Sequence, residues 1–209
     1  MKIRIFMALI LAIVTARLFP QTFHGGIMAG ITASQVDGDS YAGFNKVGLQ
    51  GGVYVNTMLV GRLGARMEIK YAARGARKPV SSDDTQVYQL TLHYIDLPVM
   101  LHYDIYRITR LELGIVPGYL FDKQGKDNGG RLPESFLVAF RKFDLGSLIG
   151  ISLILSDRFS LNLRYSYSLL SIRDPDKAGG FYGWFGRILG LNSGDYNNYL
   201  SFGLYCRLK

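Results

Sequence analysis

From residue 22 onward the chain alternates apolar and polar side chains with a period of two, the pattern of strands whose two faces meet unlike surroundings. On the segment from Phe159 to Leu169, Phe159, Leu161, Leu163, Tyr165, Tyr167 and Leu169 alternate with Ser160, Asn162, Arg164, Ser166 and Ser168. The same alternation runs through Leu63–Ala73, Leu111–Tyr119 and Phe143–Leu155. A last strand sets Leu200, Phe202, Leu204, Cys206 and Leu208 against Tyr199, Ser201, Gly203, Tyr205 and Arg207. Segments 23–36 and 46–58 carry the pattern more weakly. From Thr85 to Ile105 the phase changes: Tyr88, Leu90 and Leu92 are apolar at even positions, whereas Ile95, Leu97, Val99, Leu101 and Tyr103 are apolar at odd ones. A one-residue slip turns a strand's faces over, so this change predicts a bulge near His93–Ile95.

These segments make eight strands, and their connections alternate in length. Three are short, at Leu59–Arg62, Asp104–Arg107 and Ser156–Arg158; four are long, at 37–45, 75–84, 122–140 and 171–196. Short turns at one end and long loops at the other, with an even strand number, describe an eight-stranded antiparallel up-and-down transmembrane β-barrel. That fold belongs in a bacterial outer membrane, with both termini expected in the periplasm. The face polarity excludes a soluble barrel, which keeps its apolar side inside. Here the charged face is also the glycine-rich one, as a narrow interior requires. The other face carries Tyr71, Tyr103, Tyr119, Phe143, Phe159, Tyr165 and Tyr167, expected to form aromatic girdles.

The first residues read differently. Met1-Lys2-Ile3-Arg4 is a short cationic start, followed by uncharged Ile5–Val14. This is the layout of a secretory signal peptide and is too short to span a membrane as an anchor. The expected division is a signal peptide over 1–21, cleaved between 16 and 22, and a barrel domain over 22–209. The formal charge of +8 therefore includes residues lost on export, leaving about +5 or +6. The remaining Lys and Arg are scattered and form no block, so nucleic acid is not an expected partner. A modest positive charge suits outer-membrane lipid and lipopolysaccharide. Cys206 is the sole cysteine, which leaves no disulfide framework and no thiolate metal cluster. No cofactor or metal is expected.

Three stretches carry a family resemblance. Gly26–Gln35 and Phe44–Gly52 are similar to the first two strands of the PorT-like outer-membrane β-barrels, whose fold is close to the small OmpA-type barrels. Tyr94-Ile95-Asp96-Leu97-Pro98-Val99-Met100-Leu101 resembles that family's most recognisable segment, an aromatic and a carboxylate followed by proline and aliphatics. The likeness covers about 23–209. It implies envelope location and, through the member that gives the family its name, a link to type IX protein secretion. One departure is the C-terminus: such barrels commonly end in an aromatic residue read by the assembly machinery, and this chain ends Arg207-Leu208-Lys209.

The strand directions place Arg66, Glu68, Asp96, Arg110, Glu112 and Arg164 inside the barrel, in the half nearer the short turns. Their mixed signs predict an ion-pair network filling the lumen, because an eight-stranded interior has room only for its own side chains and unpaired charges there are costly. An enzyme would need a nucleophile beside a histidine base. Only His24, His93 and His102 are available, and none sits in such an arrangement in sequence, so no catalytic residue is assigned. In the longest loop, Phe181, Tyr182, Trp184, Phe185 and Ile188 concentrate more apolar surface than a solvated loop needs and form a candidate partner-contact surface; Phe136–Phe140 adds a smaller one. The expected function is a non-enzymatic envelope structural or accessory protein, with a secretion link. The alternatives are a narrow transport channel and a lipid-modifying barrel enzyme.

Overall fold

In the computed structural model, residues 22–39, 43–78, 86–133, 137, 140–173 and 195–208 are described. Among these residues ten strands form one antiparallel sheet: β1 Phe23–Asp37, β2 Lys46–Val60, β3 Leu63–Lys78, β4 Tyr88–Asp96, β5 Val99–Tyr106, β6 Thr109–Asp127, β7 Gly130–Arg131, β8 Phe143–Ile154, β9 Phe159–Ser168 and β10 Tyr196–Arg207. β4 and β5 are one stave broken at Leu97–Pro98, where proline has no N–H to give the ladder. Pairing resumes across the break, since Leu97 N donates to Pro117 O and Glu68 N to Pro98 O. β7 is a two-residue appendage of β6. Eight staves remain, and β1 pairs with β10 from Gly26↔Arg207 to Asp37↔Tyr196, which closes the ring. Closure removes the free edges that an open sheet would expose to lipid.

Gly61-Arg62, Arg107-Ile108 and residues 155–158 make the short turns at one end. The outward side chains just above them are apolar and exposed: Ile27 and Ile31 on β1, Leu49 and Val53 on β2, Leu111, Leu113 and Ile115 on β6, Phe202 and Leu204 on β10. These side chains make an outward-facing apolar surface of the kind a lipid bilayer covers. Of the expected girdle residues, Tyr103, Tyr119, Phe143 and Phe159 face out and are exposed. Tyr167 differs: it is 4% exposed, and its hydroxyl donates to Asp37 Oδ2 at 2.8 Å.

The strands also run past the apolar belt. On β6 that belt ends at Phe121, while the strand continues to Asp127. Here the expected phase reversal on β4 needs correction. Leu90, Leu92, Tyr94, Asp96, Met100 and His102 all point inward, so even positions face the lumen from β4 through β5. The register does shift between His93 and Tyr94, but the extra residue is Phe121 on β6. The burial phase flips on that strand, from inward Leu120 to inward Gly125. What changes along β4 is the content of the interior. Beyond the belt it becomes an apolar core of Val36, Ala76, Leu90, Leu92, Tyr94, Leu120, Leu137, Phe140 and Ile172.

Candidate functional site

The most chemically organised part of the molecule is the lumen, where charged side chains are buried in two tiers. The tier nearer the short turns is centred on Arg164 of β9. Its Nη1 and Nη2 donate to Glu68 Oε2 and Oε1 of β3, both at 2.8 Å, and its Nε donates to Glu112 Oε2 of β6 at 2.7 Å. Two parallel bonds to one carboxylate are the strongest geometry a guanidinium can make. Glu112 takes three further bonds: Arg66 Nη1 at 2.9 Å, Ser152 Oγ at 2.8 Å and Asn162 Nδ2 at 2.8 Å. Tyr205 Oη donates to Glu68 Oε2 at 3.3 Å. The Arg66 guanidinium lies 5.1 Å from the ring centres of both Tyr54 and Tyr205, whose rings pack on each other at 5.3 Å. All four charged groups are under 5% exposed.

The second tier stands toward the long connections. Arg74 Nη2 donates to Asp96 Oδ1 at 2.7 Å and lies 4.0 Å from Asp144 Oδ2. Its guanidinium also covers the Tyr94 ring at 3.9 Å and the Tyr199 ring at 4.7 Å. Ser168 Oγ and Asn197 Nδ2 both donate to Asp144 Oδ2, each at 2.8 Å. On β3 between these levels, Lys70 Nζ donates to Gln50 Oε1 at 3.0 Å. Inward glycines make space for the arginines. A Cβ on Gly118 would stand 2.6 Å from Asp96 Oδ1, and one on Gly150 would stand 2.6 Å from Arg164 Cγ.

Of the six lumen residues read from sequence, Arg66, Glu68, Glu112 and Arg164 come together in one cluster. Asp96 does not join them. It stands beside Ile95, level with Tyr71 and Tyr119 at the outer edge of the apolar belt, and its partner is Arg74. Arg110 is also separate: it forks onto its cross-strand neighbour Asp104, with Nε to Oδ1 at 2.6 Å and Nη2 to Oδ2 at 3.1 Å. Lys70, Arg74 and Asp144 were missed as members. The signal was available, because the even positions of β3 simply continue from Arg66 and Glu68 through Lys70 to Arg74.

Near the outer edge of the belt the outward face holds a small polar row. Tyr71 Oη and His93 Nδ1 share a 2.7 Å hydrogen bond, and His93 Nε2 lies 4.0 Å from Asp122 Oδ2, with Phe121 packed alongside. At the opposite margin of the long-connection end, Arg173 Nη1 meets Asp195 Oδ2 at 3.1 Å. Burial pushes the Asp195 carboxyl up, and Arg173 opposes that shift. His102 is buried on β5, 3.8 Å from Asp104 Oδ1. Phe181, Tyr182, Trp184, Phe185 and Ile188, and also Phe136, lie outside the described residues. Leu137 and Phe140 are described, and both are buried in the apolar core.

Against curated protein sequences the chain has no significant match. Among solved structures it is similar to Ail, the attachment invasion locus protein of Yersinia pestis, at 15% identity over 88% of this chain and 98% of that one, with a TM-score of 0.49. It is also similar to Neisserial surface protein A, at 12% identity over 89% of this chain and 96% of that one, with a TM-score of 0.48. OprG from Pseudomonas aeruginosa is similar at 12% identity over 89% of this chain and 94% of that one, with a TM-score of 0.39. The profile of the family described as outer membrane protein beta-barrel domain matches residues 17–174. With that match over most of its length and a closed ring of eight staves under an outward apolar belt, the chain belongs to the outer membrane protein beta-barrel domain family.

Proposed function

We propose that this outer-membrane barrel is a closed, non-enzymatic accessory protein of the envelope that presents its long connections at the cell surface. In this reading residues 1–21 are an export segment removed on delivery, and both termini face the periplasm. The observation that carries the reading is the Arg164 bridge. One guanidinium bonded to Glu68 and Glu112 ties β9 to β3 and β6 across the lumen, where an ion or solute would have to pass. A pathway for ions needs sites that bind weakly and exchange. Arg164, Glu68 and Glu112, bonded at every oxygen and at each guanidinium nitrogen, do neither.

Two finer attributions rest on separate features. The resemblance of Tyr94–Leu101 to the PorT-like segment supports a place beside a type IX-like secretion apparatus. A rim cavity of about 360 Å³, lined by Phe121, Leu137 and Phe140 with Lys123, Lys142 and Asp122, combines apolar walls with two lysines beside one acid and supports contact with lipopolysaccharide.

Orientation is tested by an epitope inserted at Asp127–Asn128, in the β6–β7 turn, against one inserted at Arg107. The first should be labelled on intact cells and the second only after the outer membrane is permeabilised; the reverse result contradicts the reading. A deletion strain compared with its parent for secreted proteins tests the accessory role. Loss of a defined subset from the medium is expected, and an unchanged secreted proteome removes the secretion link.

A further inference from the structure

Above the apolar belt the wall keeps its outward face but changes the chemistry of that face. The strand register sets four outward side chains on one rung: Arg77 of β3 opposite Gln89 of β4, Gln89 opposite Lys126 of β6, and Lys126 opposite Arg131 of β7. Ala76 and Leu90, their neighbours on the inward face, are buried in the apolar core, whereas Arg77, Lys126 and Arg131 are exposed. Neighbouring strands stand about 4.8 Å apart, so the row is about 15 Å wide. The outward rung beneath it holds Thr91 and Gln124 and is uncharged. Three cations therefore face outward at one height, on the side of the wall that meets lipid lower down.

Their arrangement opposes the stability of the sheet itself. Lys126 and Arg131 are direct cross-strand partners, and like charges in that position destabilise a strand pair. Among the described residues, none of Arg77, Lys126 and Arg131 makes an ion pair that would relieve the repulsion. Asp122, two outward positions below Lys126 on the same strand, is already bonded by Gln124 Nε2 at 3.0 Å. An anion laid along the row from outside would supply the missing charge to all three.

Height decides which anion. On β6 the belt ends at Phe121, and Lys126 is five residues further on. At about 3.3 Å per residue and the tilt of a membrane barrel strand, the row stands about 12 Å above the belt. The polar zone of a phospholipid leaflet is only about 5 to 7 Å deep, so phospholipid phosphates lie below the row. We propose that Arg77, Lys126 and Arg131, with Gln89 between them, bind the phosphorylated sugars of the lipopolysaccharide headgroup. Acyl chains on the belt carry that headgroup upward along the same face, which makes the row continuous with the lipid contact. Guanidinium forks suit phosphate oxygens, and the Gln89 amide offers neutral hydrogen bonds to sugar hydroxyls. The assignment rests on the orientation proposed above, with the long connections at the cell surface.

The test uses the full barrel refolded into phosphatidylcholine nanodiscs, its closure checked by the heat-dependent gel shift. Phosphorylated core oligosaccharide, released from rough lipopolysaccharide by mild acid, is titrated calorimetrically, and so is the same oligosaccharide stripped of phosphate by hydrogen fluoride. The wild type should bind the first, and the second at least about tenfold more weakly. Arg77→Gln/Lys126→Gln/Arg131→Gln should also lose about tenfold or more, whereas Arg62→Gln/Arg107→Gln/Arg158→Gln, which removes as many cations at the short turns, should bind like the wild type. Wild-type affinity in the row variant, an equal loss in the short-turn variant, or indifference to phosphate overturns the proposal. Displacement of the oligosaccharide by soluble dihexanoyl-phosphatidylglycerol would return the row to phospholipid and overturn it too. Discs expose both ends of the barrel, so binding here is independent of orientation. A reversed epitope result would overturn the lipopolysaccharide assignment even where the oligosaccharide bound.

Discussion

The two halves of the barrel interior follow one backbone rule and reach opposite chemistries. Along β3, β4 and β6 the inward positions near the short turns include Arg66, Glu68 and Glu112, whereas those beyond the belt include Ala76, Leu90, Leu92 and Leu120. Where lipid surrounds the wall, the outer face already takes the apolar residues, and the inside is filled by charges that must satisfy one another. Beyond the belt the same lumen is packed as an ordinary protein core. The lower region gains specificity from bonds that each need a particular partner, while the upper one gains stability from area and close packing. An interior can thus change its solvent logic partway along a strand without the strand turning over.

That contrast can be broken most severely at Arg164. Arg164→Met leaves Glu68 and Glu112 buried without their bridge, and unfolding in urea from lipid vesicles should show a loss of about 4 kcal/mol. Adding Glu68→Gln to that variant should recover part of the loss, since Glu68 loses its ion-pair partner while Glu112 keeps Arg66; no recovery would mean the stranded charge was not the cause. In the apolar region Leu92→Ala should lose about 3 kcal/mol through transfer and cavity terms. The heat-dependent gel shift should still report a closed barrel there, because the membrane-level staves are untouched. Leu113, outward on β6, tests the opposite face: Leu113→Lys should lose about 2 to 3 kcal/mol in a bilayer and much less in detergent. The smallest effect is expected for Tyr71→Phe, which removes the hydrogen bond to His93 at the outer rim and should lose about 1 kcal/mol.

The staves were legible in the sequence because a period of two, apolar on one face and charged on the other, arises where a strand divides two unlike media. Parity also placed Arg66, Glu68, Glu112 and Arg164 on the inward face. It could not say who bonds whom. Arg164 and Glu68 are 96 residues apart, and their meeting depends on how the ring closes. Asp96 and Arg110 illustrate the limit. Each has the correct parity, yet one finds Arg74 in a higher tier and the other finds Asp104 on the adjacent strand. The misread phase of β4 has a similar origin. Alternation reports that two faces differ, not which one is inside, so an apolar interior above an apolar exterior looks like a strand turned over. The true irregularity, at Phe121 on β6, left only a subtle trace because Leu120 and Phe121 are both apolar.

Paired charges close the lumen, and single-channel recording in planar bilayers under molar potassium chloride is the test of that closure. The refolded protein should add no stepwise conductance above the bare membrane at any holding potential. Reproducible ohmic steps from the wild-type barrel would contradict it.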